Sequence, residues 1–211
     1  MKNKIITIDG PAGSGKERIA KFISKKWNFF HLDSGILYRR ISYIILKKNI
    51  NFKDSNQIKD LIKKIKSISP RNNRKLRNEK ISKLASKIAT IKEIREFINI
   101  NQKIIVKNEL KKRGCVIDGR DIGSVVFKKA NIKMYVSVNA KIRAKRRHKQ
   151  LIDIGEKSIY AKILKDIKLR DKKDKTRKNS PLVIPSDSYV IDNSDTFLNT
   201  LKQINLVMKK I

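Results

Sequence analysis

The chain has 211 residues, with 53 Lys and Arg against 19 Asp and Glu, a net charge of +34 and a single cysteine. That length holds one domain with a real core, the lone Cys115 excludes a disulfide framework or a cysteine-rich zinc site, and Lys interrupts every apolar run before it reaches the length of a secretory signal or membrane span. A cytosolic protein without membrane contact is expected. Such charge ordinarily points to nucleic acid. Here the lysines are spread through nearly every segment among many Ile and Asn, as A·T bias in a coding sequence would produce, and aromatics make up only 6% of residues. No helix-turn-helix, RNP-type or zinc-knuckle pattern is visible, so nonspecific RNA binding is expected in vitro without a dedicated nucleic-acid role.

In chain order, residues 5–8 read as a strand, and residues 18–26 as a helix with Ile19, Phe22 and Ile23 on one face. Residues 29–32 form a short strand ending at Asp33, after which Ser34 can cap a helix carrying Leu37, Tyr38, Ile41, Ile44 and Ile45. A polar stretch from Asn51 holds a helix near residues 58–65 and a turn-rich run at 69–73. Helical patterns follow over 79–89 and 92–112. Cys115-Val116-Ile117 reads as a buried strand running into Asp118-Gly119-Arg120-Asp121, which places polar groups beyond its carboxyl end, where open parallel sheets hold ligands. A strand at 133–138, helices at 140–152 and 157–173, a strand at 189–192 and a helix at 197–209 complete an α/β order.

The most specific local signal is Gly10-Pro11-Ala12-Gly13-Ser14-Gly15-Lys16, between the first strand and its helix. It meets the first seven positions of the phosphate-loop pattern G-x-x-x-x-G-K-[ST]. Glycines let backbone N–H groups turn inward, and Lys16 adds a full charge to the helix N-terminus, so a nucleotide polyphosphate is the expected guest. Glu17 and Arg18 occupy the positions where a hydroxyl normally approaches the metal. Two readings of Glu17 stand: a first-turn carboxylate favoured by the helix dipole and turned to solvent, or a charge that repels polyphosphate and weakens the site. Ser14 is a further hydroxyl near the cradle.

Taken together with Leu32-Asp33-Ser34-Gly35, Tyr38-Arg39, Ile117-Asp118-Gly119-Arg120-Asp121-Ile122-Gly123 and the run from Arg170-Asp171 through Asp174 to Arg177 and Pro181-Leu182, this loop resembles the bacterial cytidylate kinases over nearly the whole chain. The resemblance implies an α/β nucleoside monophosphate kinase fold. Its core would comprise residues 1–50 and 113–211, its monophosphate-binding insertion about 51–112, and its short lid about 153–181. It implies transfer of the ATP γ-phosphoryl group to CMP or dCMP with Mg²⁺, and a monomer is expected because no long uninterrupted apolar patch stands out. In that family the loop lysine is usually followed by Gly and Thr, so both Glu17 and Arg18 depart, and residues 66–75 are too few for the small antiparallel sheet usual in the insertion.

By the same resemblance, Gly10, Pro11, Ala12, Gly13, Ser14, Gly15, Lys16, Glu17 and Arg18 form the ATP-binding loop, and Lys16, Arg120, Arg170 and Arg177 are the catalytic cations. Phosphoryl transfer demands positioning and charge neutralisation rather than a covalent catalyst, which suits converging arginines. Ser34, Tyr38, Arg39 and Arg120 would hold the monophosphate, Arg170 and Asp174 the phosphate and pentose, and Ser86, Arg95 and Asp121 the pyrimidine. No protein metal ligand is assigned. The alternative is a decayed kinase that keeps nucleotide binding, or a basic RNA-associated protein. Asp9 is expected to anchor the loop, Asp118 to cap a strand or hold Arg120, Arg143, Arg146 and Arg147 to form a solvated helix face, and His31 and His148 to be bystanders.

Overall fold

The strand at the centre is built from the apolar run after Lys4: β1 (Ile5–Asp9) sends Ile6 and Ile8 to one side of a sheet and Ile5 to the other. This computed structural model describes residues 3–71 and 73–210. Five parallel strands form the sheet: β1, β2 (Phe30–Asp33), β3 (Cys115–Gly119), β4 (Ile132–Ser137) and β5 (Tyr189–Asp192), in the order β2-β3-β1-β4-β5. Register sets Ile5 opposite Cys115 and Asp33 opposite Asp118, so the aspartates that close β1, β2 and β3 share one edge. All β3 residues are buried, which fits its unbroken apolar start and a sheet covered on both faces.

Among the described residues eight α-helices supply the covers: α1 (Lys16–Trp27), α2 (Ser34–Lys47), α3 (Ser55–Lys64), α4 (Glu79–Ile88), α5 (Lys92–Leu110), α6 (Ala140–Asp153), α7 (Tyr160–Thr176) and α8 (Phe197–Met208). One core joins Cys115 and Ile117 to Leu37, Ile41, Ile58, Leu84, Ile94 and Ile98 from α2 to α5. The second, on the other face, joins Ile6, Ile8, Val116 and Val136 to Ile19 and Ile23 of α1 and Ile204 of α8. Each of these fully buried aliphatic side chains contributes roughly 1.5–3 kcal/mol. Asn28 ends α1 in the left-handed conformation, φ 53°, with its N–H on the Ser24 carbonyl. Asp33, rather than the predicted Ser34, caps α2 by accepting from Gly35 N–H at 2.9 Å.

Predicted and observed elements correspond, with ends displaced by one to three residues. The short π-helical turn Ile122–Val126 is additional. Between α3 and α4 the described residues contain one 3₁₀ turn, Arg74–Arg77, and no strand. No helix among the described residues is long and apolar enough to cross a membrane.

Candidate active site

The phosphate loop follows β1 and is fixed from behind. Gly15 caps α1 with φ 86°, and a Cβ there would run into Asn193 Nδ2, so the position is closed to other residues on two grounds. The Asn193 amide, just after β5, donates to the Ser14 carbonyl at 2.8 Å, while its oxygen accepts from Thr200 Oγ1 at 2.8 Å. Lys16 is buried and donates to the Pro11 carbonyl at 3.2 Å. Burial, and next the like charge of Arg120, pull its pKa down to about 7. Among the described residues Ser14 Oγ, buried there, has no hydrogen-bond partner.

Both unusual residues find partners on α1 or beside it, although the Glu17 charge still reaches Asp33 and helps raise its pKa. Glu17 pairs with Lys21 at 2.7 Å one turn along α1, and the exposed Arg18 lays its guanidinium 3.7 Å from the centre of the Phe197 ring. That geometry favours the first reading of Glu17.

At the ends of β2 and β3 lies a second polar group. Arg39 donates to Asp33 at 3.2 Å, and burial followed by the Asp118 charge raises the Asp33 pKa. Ser34 is buried, its Oγ packed into the space that Gly119 leaves by lacking a side chain. Arg95, from the first turn of α5, donates to Asp121 at 2.6 Å, to the Ala89 carbonyl at 2.9 Å and to Tyr38 Oη at 3.3 Å. Arg177 approaches the other Asp121 oxygen at 3.6 Å. Ser86 is half-buried on α4, with no hydrogen bond to this cluster among the described residues.

The α6–α7 segment closes the third side. Asp174 is buried at the end of α7 and accepts from Arg120 Nε at 3.1 Å. Arg170 is exposed at the cleft mouth, where protein atoms crowding it and the charge of Arg120 lower its pKa. Beneath the loop, Asp9 accepts from Ile122 and Gly123 N–H at 2.8 and 2.7 Å, satisfying the donors that open the π-helical turn. Burial raises its pKa to about 6.

A cytidylate kinase family model matches residues 6–211. The chain belongs to the cytidylate kinase family. It is 36% identical to a cytidylate kinase of Fusobacterium nucleatum, covering 100% of this chain and 98% of that one. It is 40% identical to a cytidylate kinase of Rickettsia rickettsii, over 92% and 85% of the two chains. Among solved structures, TT1252 from Thermus thermophilus matches with a TM-score of 0.54 at 14% identity, covering 100% and 99%, a likeness of fold alone.

Within this cytidylate kinase fold the expectations for Arg143, Arg146 and Asp118 need correction. Arg143 and Arg146 are not on a solvated face. Arg143 is buried and bonded to Val138, Ala12 and Asp171, while Arg146 donates to the Asn193, Ser194 and Asp195 carbonyls, at 2.8 Å for the first. Arg147 is exposed as expected. Asp118 holds His31 rather than Arg120, with Nε2 2.7 Å from its carboxylate. His148 contacts Ser158 Oγ at 2.8 Å and joins α6 to the segment before α7. Asn193 had no signal in the sequence beyond its place after the last strand.

Proposed function

We propose that this chain transfers the γ-phosphoryl group of ATP to CMP or dCMP, giving CDP or dCDP and ADP. The observation that carries this reading is the buried Arg95–Asp121 pair beside Tyr38, at the same sheet edge as the phosphate loop. Cytosine differs from uracil by an amine that needs an acceptor and a ring nitrogen that needs a donor. A carboxylate and a guanidinium side by side meet both needs.

The loop fits a polyphosphate: Ser14 Oγ is buried and unpartnered, and Lys16 is an ammonium whose pKa an arriving anion would restore. Lys16 and the loop N–H groups hold the donor phosphates. Arg39 and Arg120 grip the acceptor phosphate, for which the guanidinium fork is the matching shape. Arg170 and Arg177 neutralise charge on the group in flight, and Asp174 accepts from the pentose hydroxyls while keeping Arg120 in place. Magnesium would arrive on the donor phosphates and supply further charge neutralisation. Closure of α6–α7 over the cleft excludes water, so that the phosphoryl group reaches the nucleotide and not solvent.

A coupled ADP-release assay with ATP and Mg²⁺, run with CMP, dCMP, UMP, AMP and no acceptor, tests the reading. Turnover confined to CMP and dCMP is expected. ATP binding without turnover would overturn it in favour of a decayed kinase.

A further inference from the structure

The helix that carries Arg170 and Asp174 has almost no apolar hold on the rest of the molecule. Of the seventeen residues of α7, the buried one is Asp174, and Leu169 projects into solvent. Its place relative to the sheet therefore rests on α6 and on polar links. One link is Arg120 to Asp174, within the site already described. Another is Arg177, the C-cap residue of α7, to Asp121, and a third is Arg143 to Asp171, which lies beside Arg170 in the sequence.

Arg143 uses four of its five N–H donors. Its Nε donates to the Val138 carbonyl at 3.0 Å, at the end of β4, and its Nη1 donates to the Ala12 carbonyl at 2.9 Å, inside the phosphate loop. Nη1 and Nη2 together take both oxygens of Asp171. The aliphatic stem runs under Gly13, where a Cβ would lie 3.8 Å from Arg143 Cβ. The whole side chain is buried. One planar cation thus touches the sheet, the loop and the lid helix at once.

We propose that Arg143 is a positioning residue that couples the phosphate loop to α7, holding Arg170 in register with Lys16. It rests on the kinase reading only where activity is measured. The Ala12 carbonyl, tied down by Arg143, orients the Ala12–Gly13 peptide so that its N–H faces the cradle. The Asp171 carboxylate, gripped by the same guanidinium, sets the turn of α7 from which Arg170 projects. A lysine keeps the charge but has a single point donor in place of the fork, so it cannot serve three carbonyl and carboxylate partners in one plane.

The test uses the full-length Arg143→Lys and Asp171→Asn proteins, their double variant and, as a control on the exposed face of α6, Lys149→Met. Each of the first two lowers kcat by about 10- to 100-fold, the scale of a small misplacement of a catalytic group, while the KM for CMP moves by less than about threefold. The double variant is no slower than the slower single one, because both changes cut one link, and Lys149→Met matches the parent. In the nucleotide-free proteins, hydrogen exchange of the α7 amides is faster in both single variants than in the parent, and that of the β1 and β3 amides is unchanged. Unchanged kcat in folded variants, losses that multiply in the double variant, or α7 exchange equal to the parent would each overturn the coupling. A parent with no turnover would overturn the kinase reading instead, and the exchange of α7 would still decide the role of Arg143.

Discussion

Arg95 and Asp121 form an ion pair 2.6 Å long with both side chains under one-tenth exposed, and it links the first turn of α5 to the end of β3. Breaking it from one side leaves a buried charge with Arg177 as its remaining cation, 3.6 Å away. Arg95→Met should cost about 3–5 kcal/mol of stability, the scale of an orphaned buried charge. The KM for CMP should rise by roughly tenfold or more through the lost charged hydrogen bonds, with the ATP KM little altered. Denaturant melts and steady-state kinetics read the two effects separately; an unchanged CMP KM would remove Arg95 from the base site.

Lys16 titrates near neutrality in the nucleotide-free protein, its pKa lowered from 10.5 to about 7. Between those values the unfolded chain binds a proton that the folded one does not, so stability rises with pH across this window. The cost of burying the ammonium is complete below about pH 7 and gone above 10.5. Phosphate beside Lys16 raises its pKa again, so ATP binding near pH 8 takes up protons. Calorimetric titrations in buffers of different ionisation enthalpy measure that uptake. None would mean that Lys16 does not meet the phosphates.

Glu17 is paired with Lys21 and Arg18 is stacked on Phe197. The double change Glu17→Gly and Arg18→Thr should therefore shift kcat by less than about tenfold, while loss of the Arg18–Phe197 stacking costs about 0.5–1 kcal/mol. A gain of several orders of magnitude would instead show that these two positions limit turnover.

Asn193 is the back support of the loop. Removing its amide in Asn193→Ala leaves the Ser14 carbonyl and the Thr200 hydroxyl without that partner, at about 1–3 kcal/mol for each buried group left unmade. The KM for ATP should rise while that for CMP holds. An equal rise in both would point to general unfolding of the edge.

Much of this was legible from periodicity. The alternation of apolar runs with amphipathic helices specified a parallel sheet, and the polar tetrad from Asp118 to Asp121 marked where its strands end. What escaped were residues whose role depends on register or on a distant partner. His31 meets Asp118 because β2 and β3 pair in one particular alignment, with Asp33 opposite Asp118. Arg143 and Arg146 turn inward, yet among 53 basic residues a lysine-rich helix shows no sign of which cations are buried. Asn193 reaches Ser14 across 179 positions of sequence. The wide Ile122–Val126 turn is anchored by Asp9 of β1, which accepts its first two N–H groups.

The carboxylates at the cleft give its arginines an anion before any phosphate arrives: Asp33 for Arg39, Asp174 for Arg120, Asp121 for Arg177. If these arginines take phosphate, as the proposed function has it, binding would be an exchange of ligands rather than the filling of a bare cationic well. A singly charged anion offers little over the resident carboxylate, whereas a phosphate dianion wins the exchange. The guanidinium groups, already held in place, lose less rotational freedom when it happens. A protein with this much surface charge can in this way keep its cleft selective against the ordinary anions of its surroundings.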